Sequence, residues 1–176
     1  MSDADELRRL AARAFAGFER TDPEREPDGH AAAWEAALVE LRDVFAASFG
    51  AGEIARRLRI PADYDLFMRT VGGGFFRNAG PGMGISRPEM VARDTADAFD
   101  LFYAGEDAEP EDSGLWLTVG WWGDKHDYLL CCDAGHPRFG SLIDGHDSHP
   151  WLNGVDCGGC RRRAPSFAAF LRDLAG

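Results

Sequence analysis

An α+β fold, with N-terminal helices packed on a mostly antiparallel sheet and a helix closing the C-terminus, is predicted by three features of the sequence. Apolar residues recur three or four positions apart through the N-terminal half, the period of a helix face. Beyond Gly114 the pattern changes to short runs rich in branched and aromatic side chains, LWLTVGWW, DYLLCC and RFGSLID, which is strand patterning. The helical period then returns once, in FAAFLRDLAG. Helices, then strands, then a helix is not the βαβ alternation of a parallel sheet, so the strands are expected to pair antiparallel. With 176 residues, 45% of them hydrophobic, the chain is long enough for one packed core.

The first helix is expected over residues 5–20, where Leu7, Leu10, Ala14 and Phe18 share one stripe. Residues 21–29, TDPEREPDG, are acidic, carry two prolines and a glycine, and read as a linker. This divides the chain into an N-terminal helix with its linker, residues 1–29, and an α+β domain, residues 30–176. A second helix follows, with Trp34, Leu38, Leu41 and Phe45 facing inward and Gly50 and Gly52 punctuating its end. Residues 53–59 form a short basic helical piece. Pro61 then opens a further helix, because a missing N–H costs nothing in a first turn, with Tyr64, Phe67, Met68 and Val71 inward and three glycines, 72–74, as the stop.

Residues 75–85 read as a short strand or loop with tight turns. The sequence Ser86-Arg87-Pro88-Glu89 is a capping-box pattern and starts a helix to about residue 103, with Met90 or Val91, Ala98, Phe99 and Phe102 on its buried side. An acidic loop precedes the strand region, and the polar link 123–126 has the length of a hairpin connection. The closing helix follows Pro165-Ser166, with Phe167, Phe170, Leu171 and Leu174 as its stripe.

Thirty acidic residues against 19 basic ones give a formal charge of −11. That balance argues against direct nucleic-acid binding, which needs Lys and Arg to displace counterions from phosphates, and suits a basic protein partner. No apolar stretch approaches the roughly 18 residues of a membrane span, and the charged start MSDADELRRLAARAF lacks a signal-peptide core, so the expected location is the cytoplasm. The chain has no Gly-Lys phosphate loop, no G-x-S-x-G elbow and no H-E-x-x-H zinc helix. His126-Asp127 and His146-Asp147 are adjacent in sequence, and neighbours along an extended chain point to opposite faces, so neither makes a catalytic dyad. An enzyme is not expected.

The segment IPADYDLFMRTVGGGFF resembles the proline-led helix and glycine stop of the SMI1/KNR4, or SUKH, superfamily. LWLTVGWWGDKHDYLLCCD is similar to that family's strand, G-D-rich hairpin and "D-Y-hydrophobic" strand. RFGSLIDGHD resembles the strand that follows, and Ser166-Phe167-Ala168-Ala169-Phe170-Leu171 the closing helix. The resemblance covers about residues 30–175 and leaves out residues 5–20 and the Cys/His-rich stretch 146–160. It implies helices against a mostly antiparallel sheet, and a non-enzymatic immunity protein that neutralises a cognate bacterial toxin domain, often a nuclease or deaminase. The alternative it leaves is a regulatory or scaffold binding module with no toxin partner.

Two groups of residues are candidates for function. At the sheet end, Asp124, Asp127, Asp144 and Asp147 offer carboxylates to a basic partner, with Trp121 or Trp122 as the apolar anchor. Successive strand residues face opposite ways, so Trp121 and Trp122 cannot both enter one core face; either elements cover both faces of the sheet, or one tryptophan is exposed. The second group is His146-x2-His149 with Cys157-x2-Cys160, the nitrogen and sulfur ligand types of a structural zinc clip. Its order is not that of a common zinc ribbon, and the same residues also read as a polar loop. A thiol-redox role for Cys157 and Cys160 is favoured by Arg161, Arg162 and Arg163, but the βαβ setting of thioredoxin-like motifs is missing; this, or a zinc-dependent hydrolase, is the remotest reading. Cys131 and Cys132 belong to a strand, one of them facing the core as a small hydrophobe.

Overall fold

The stripe Trp34, Leu38, Leu41 and Phe45 is buried along its whole length and anchors the longest helix of the fold. This is a computed structural model, and it describes residues 3–14, 18–20, 27–76, 83–102, 114–122, 126–144 and 161–175. In chain order the elements are α1 (Asp3–Ala14), β1 (Phe18–Arg20), α2 (Pro27–Phe49), α3 (Ala51–Arg57), α4 (Ala62–Thr70), β2 (Gly74–Phe76) and β3 (Met83–Ile85). After these come α5 (Pro88–Phe102), β4 (Trp116–Trp122), β5 (His126–Cys131), β6 (Leu142–Asp144), β7 (Arg161–Ala164) and α6 (Phe167–Ala175). The class is α+β, as the sequence predicts.

The seven strands among the described residues lie side by side in chain order, and each pairs antiparallel with the next. Along β5, Tyr128 and Leu130 belong to the main core, whereas Leu129 and Cys131 join Trp116 and Ile143 in a second buried cluster. Strand side chains alternate between faces, so the sheet is covered on both sides. In the main core the helices meet through rings set edge to face, Tyr64 lying 5.6 Å from Trp34 and 5.0 Å from Phe167, and the sheet joins them where Tyr128 meets Phe170, tilted, at 5.0 Å. Such pairs add about 0.5–1.5 kcal/mol each to the burial of the rings.

Two helix ends are set by residues legible in the sequence. Pro61 caps α4 at φ −56°, and the chain leaves the helix through Gly72 at φ 72°. Gly72 is needed twice over, because a Cβ there would also come within 2.6 Å of the His30 imidazole. Arg57, at the end of α3, pairs with the buried Asp133 beyond β5 through both Nε and Nη2, at 3.1 and 2.5 Å. Backbone bonds on either side, Arg59 N–H to Cys132 O and Ala134 N–H to Arg57 O, fasten the same junction.

The structure departs from the sequence reading in several places, among them the start of α2 at Pro27, inside the segment read as linker 21–29, and the strand β7 at Arg161–Ala164, which the strand patterning did not mark. The first helix ends at Ala14, and Phe18–Arg20 is instead an edge strand paired with β2. Residues 75–85 contribute to two strands, β2 and β3, rather than a single strand or loop. The Ser86 hydroxyl donates to Asp94 Oδ2 at 2.7 Å, two turns further along α5. Of RFGSLID, Leu142–Asp144 alone is strand, and residues 134–140 form turns. The N-terminal helix packs against α6 and α4.

Candidate partner-binding site

The sheet end is built by β4 and β5. Their register sets Trp121 opposite Asp127 and Trp122 opposite His126, with a bulge at Val119 between Thr118 and Gly120. On the other side of β4, Trp121 stands opposite Gly84 of β3. A Cβ at Gly84 would meet the indole at 2.5 Å, so the ring lies directly on the glycine and only a residue without a side chain leaves it room. Trp121 and Asp127 are both half-buried. They form a cross-strand pair on one face, an indole beside a carboxylate.

Asp144 is offset by one position: it pairs in register with Tyr128 on one side and Arg161 on the other. Trp122 and Asp144 are thus located by their backbones alone. Asp124, Asp147, His146, His149, Cys157 and Cys160 lie outside the described residues. Among the described residues no group of three or more His, Cys, Asp or Glu side chains is arranged to hold a metal ion, and no helix is long and apolar enough to cross a membrane.

Both cysteines of β5 and its continuation are buried, Cys131 in the second cluster and Cys132 in the main core. One cysteine facing the core was expected; the covered second face buries the other. Burial pushes the Cys131 thiol up to about 12 and raises Cys132 as well. As thiols they are inert at neutral pH, since the thiolate is the nucleophile and the ligand.

Near the other end of β4, the turn after Asp133 carries a histidine that the sequence reading passed over. His136 lies 5.6 Å from Trp116, edge to face, and its Nδ1 accepts the Arg138 N–H at 3.1 Å. Burial holds this imidazole below its ordinary range, against the pull of Asp133. The acceptor role of Nδ1 requires the ring to be neutral. The signal available in sequence was D-A-G-H-P-R, a turn with charges at both ends; the contact with Trp116 was not.

The helical side has a second constellation that was missed. Asp63, in the first turn of α4, accepts the Tyr64 N–H at 2.9 Å and, across 105 residues, the Ala168 N–H of α6 at 2.8 Å. One carboxylate thus serves two helix starts, where unpaired N–H groups favour an anion. Next to it, Asp65 accepts from Trp34 Nε1 and Arg69 Nε, each at 2.8 Å, and Arg69 also reaches Glu35. The hydrogen bond that Arg69 donates to Asp65 raises the Arg69 guanidinium above its ordinary value.

No protein-family model matches this chain, and no curated protein matches it significantly.

Proposed function

We propose that the chain is a cytoplasmic, non-enzymatic binding protein of the SUKH type, an immunity protein that neutralises a cognate bacterial toxin domain by occluding it. The observation that carries the reading is a succession of parts: the proline-led helix α4 with its glycine stop, the β4–β5 strand pair, β6 and the closing helix α6. They follow one another in the order that the SUKH resemblance implies. The formal charge of −11 favours a basic partner such as the cleft of a nuclease, through attraction that steers the encounter. At the sheet end Trp121 supplies an amphipathic surface beside the Asp127 carboxylate, a pairing suited to an apolar anchor flanked by a partner's Arg or Lys. Trp122, Asp124, Asp144 and Asp147 are the other candidate contacts, and His146, His149, Cys157 and Cys160 remain a candidate structural zinc clip.

The test is capture from lysate of the source cells with the purified chain as bait, at low and high salt, followed by assay of what is captured. Recovery of one basic toxin domain in equal amount, with its activity abolished at equimolar ratio, supports the proposal; association should slow markedly at high salt because exposed charges are screened. Recovery of regulatory or housekeeping proteins alone would replace it with the scaffold reading.

A further inference from the structure

We propose that the groove between α1, α4 and α6 is a docking site for an apolar segment of a protein partner that carries a lysine or arginine. The proposal rests on the reading of this chain as a binding protein for a basic partner, and it names a surface on the helical side of the molecule in addition to the sheet end. The groove has a volume of about 340 Å3, at the small end of the range for sites that enclose a ligand group. Leu7, Leu10 and Leu66 give it an apolar floor. Leu7 belongs to the main core, and Leu10 and Leu66 are partly buried against it, so the floor is held by the fold.

The walls are acidic. Asp3 and Glu6 line the groove from α1, and Asp63 lines it from α4. Asp63 cannot turn away, because its two oxygens are held by the Tyr64 and Ala168 N–H groups, and each carboxylate oxygen still has capacity for a further donor. Arg172 is the lining cation, and it reaches Glu6 at 3.3 Å in an exposed pair, an arrangement that contributes little and opens readily. Among the described lining residues, three carboxylates against one guanidinium leave the groove net negative. A lysine or arginine side chain matches both parts of the groove, with its methylene stem on the leucines and its head at the carboxylates; an acidic segment meets repulsion, and a neutral one adds nothing to offset the excess of negative charge.

The experiment uses the whole chain and three capped tripeptides, acetyl-Leu-Arg-Leu-amide and its Gln and Glu counterparts, with backbone amide chemical shifts as the readout. The arginine probe should shift the amides of Leu7, Leu66 and Ala168 saturably and bind about fivefold more tightly than the glutamine probe, the scale of one exposed charge pair. Asp3→Asn with Glu6→Gln should remove that preference, and Ala62→Leu, which narrows the groove from an exposed position, should weaken all binding; melting temperatures check that each variant is folded. Absence of shifts at saturating probe, shifts centred elsewhere, or equal binding of the glutamate probe would overturn the proposal. Such failure would leave the immunity reading standing, because that reading is judged by capture and inhibition. Selective binding of the arginine probe without any basic partner being captured would uphold the groove and defeat the immunity reading.

Discussion

Tyr64→Phe tests the accounting of the core at a single oxygen. The Tyr64 ring is fully buried between Trp34 and Phe167, while its hydroxyl has no hydrogen-bond partner among the described residues. A buried hydroxyl without a partner carries a desolvation cost of about 1–3 kcal/mol. Phenylalanine keeps both aromatic contacts and removes that cost, so the variant should be as stable as the parent or more stable by about 1 kcal/mol, which raises Tm by roughly 2–4 °C in a chain of this size. Alanine at the same position should cost about 3–5 kcal/mol, the range for emptying an aromatic site. A pH arm sharpens the test. Burial raises the folded-state pKa of Tyr64 well above its ordinary value, so above about pH 10 the unfolded chain releases this proton first and the parent loses stability as pH rises. The advantage of Tyr64→Phe should therefore widen by up to about 1.4 kcal/mol per pH unit in that range. Urea denaturation followed by tryptophan fluorescence measures both arms. A loss of more than about 1 kcal/mol for Tyr64→Phe at pH 7 would mean that the hydroxyl donates a bond of real strength, and the reasoning would be refuted.

Other consequences are open to simpler measurements. Asp63→Ala leaves the Ala168 and Tyr64 N–H groups without their acceptor and should cost about 1–2 kcal/mol by urea midpoint; an unchanged midpoint would show that α6 is capped in another way. His136 titrates below its ordinary range in the folded state, so as pH falls through about 6.5 the unfolded chain binds a proton that the folded chain refuses, and stability declines until the lower folded value is reached. His136→Gln should flatten that acid slope relative to the parent, and identical slopes would sink the assignment. In a Cys157→Ser, Cys160→Ser background, Cys131 and Cys132 should react with a thiol reagent at pH 8 only after denaturation, because both are buried and their thiols are pushed up; rapid labelling of the folded chain would contradict that burial.

The α+β class, the inward stripe of α2, the start of α4 at Pro61 and its end at Gly72, and the aromatic face of α6 were all legible in the sequence. Each depends on residues within a few positions of one another, and hydrophobic period, proline and glycine report such local geometry directly. Phe18 shows the limit. Its spacing continues the α1 stripe, yet it pairs with Phe76 in the sheet, and no local pattern records a partner 58 positions away. Ser86 shows another: its hydroxyl donates to Asp94, eight positions on, a bond that the S-x-x-E pattern does not record. At the sheet end, alternation already separated Trp121 from Trp122, while the contact of Trp121 with Gly84 arose only when β3 paired with β4. The Asp63 bond to α6 and the burial of both Cys131 and Cys132 were likewise decided by tertiary structure. Sequence determines which face of each element is apolar; which faces meet, and which polar atoms then lose water and require a partner, is settled by packing between distant segments.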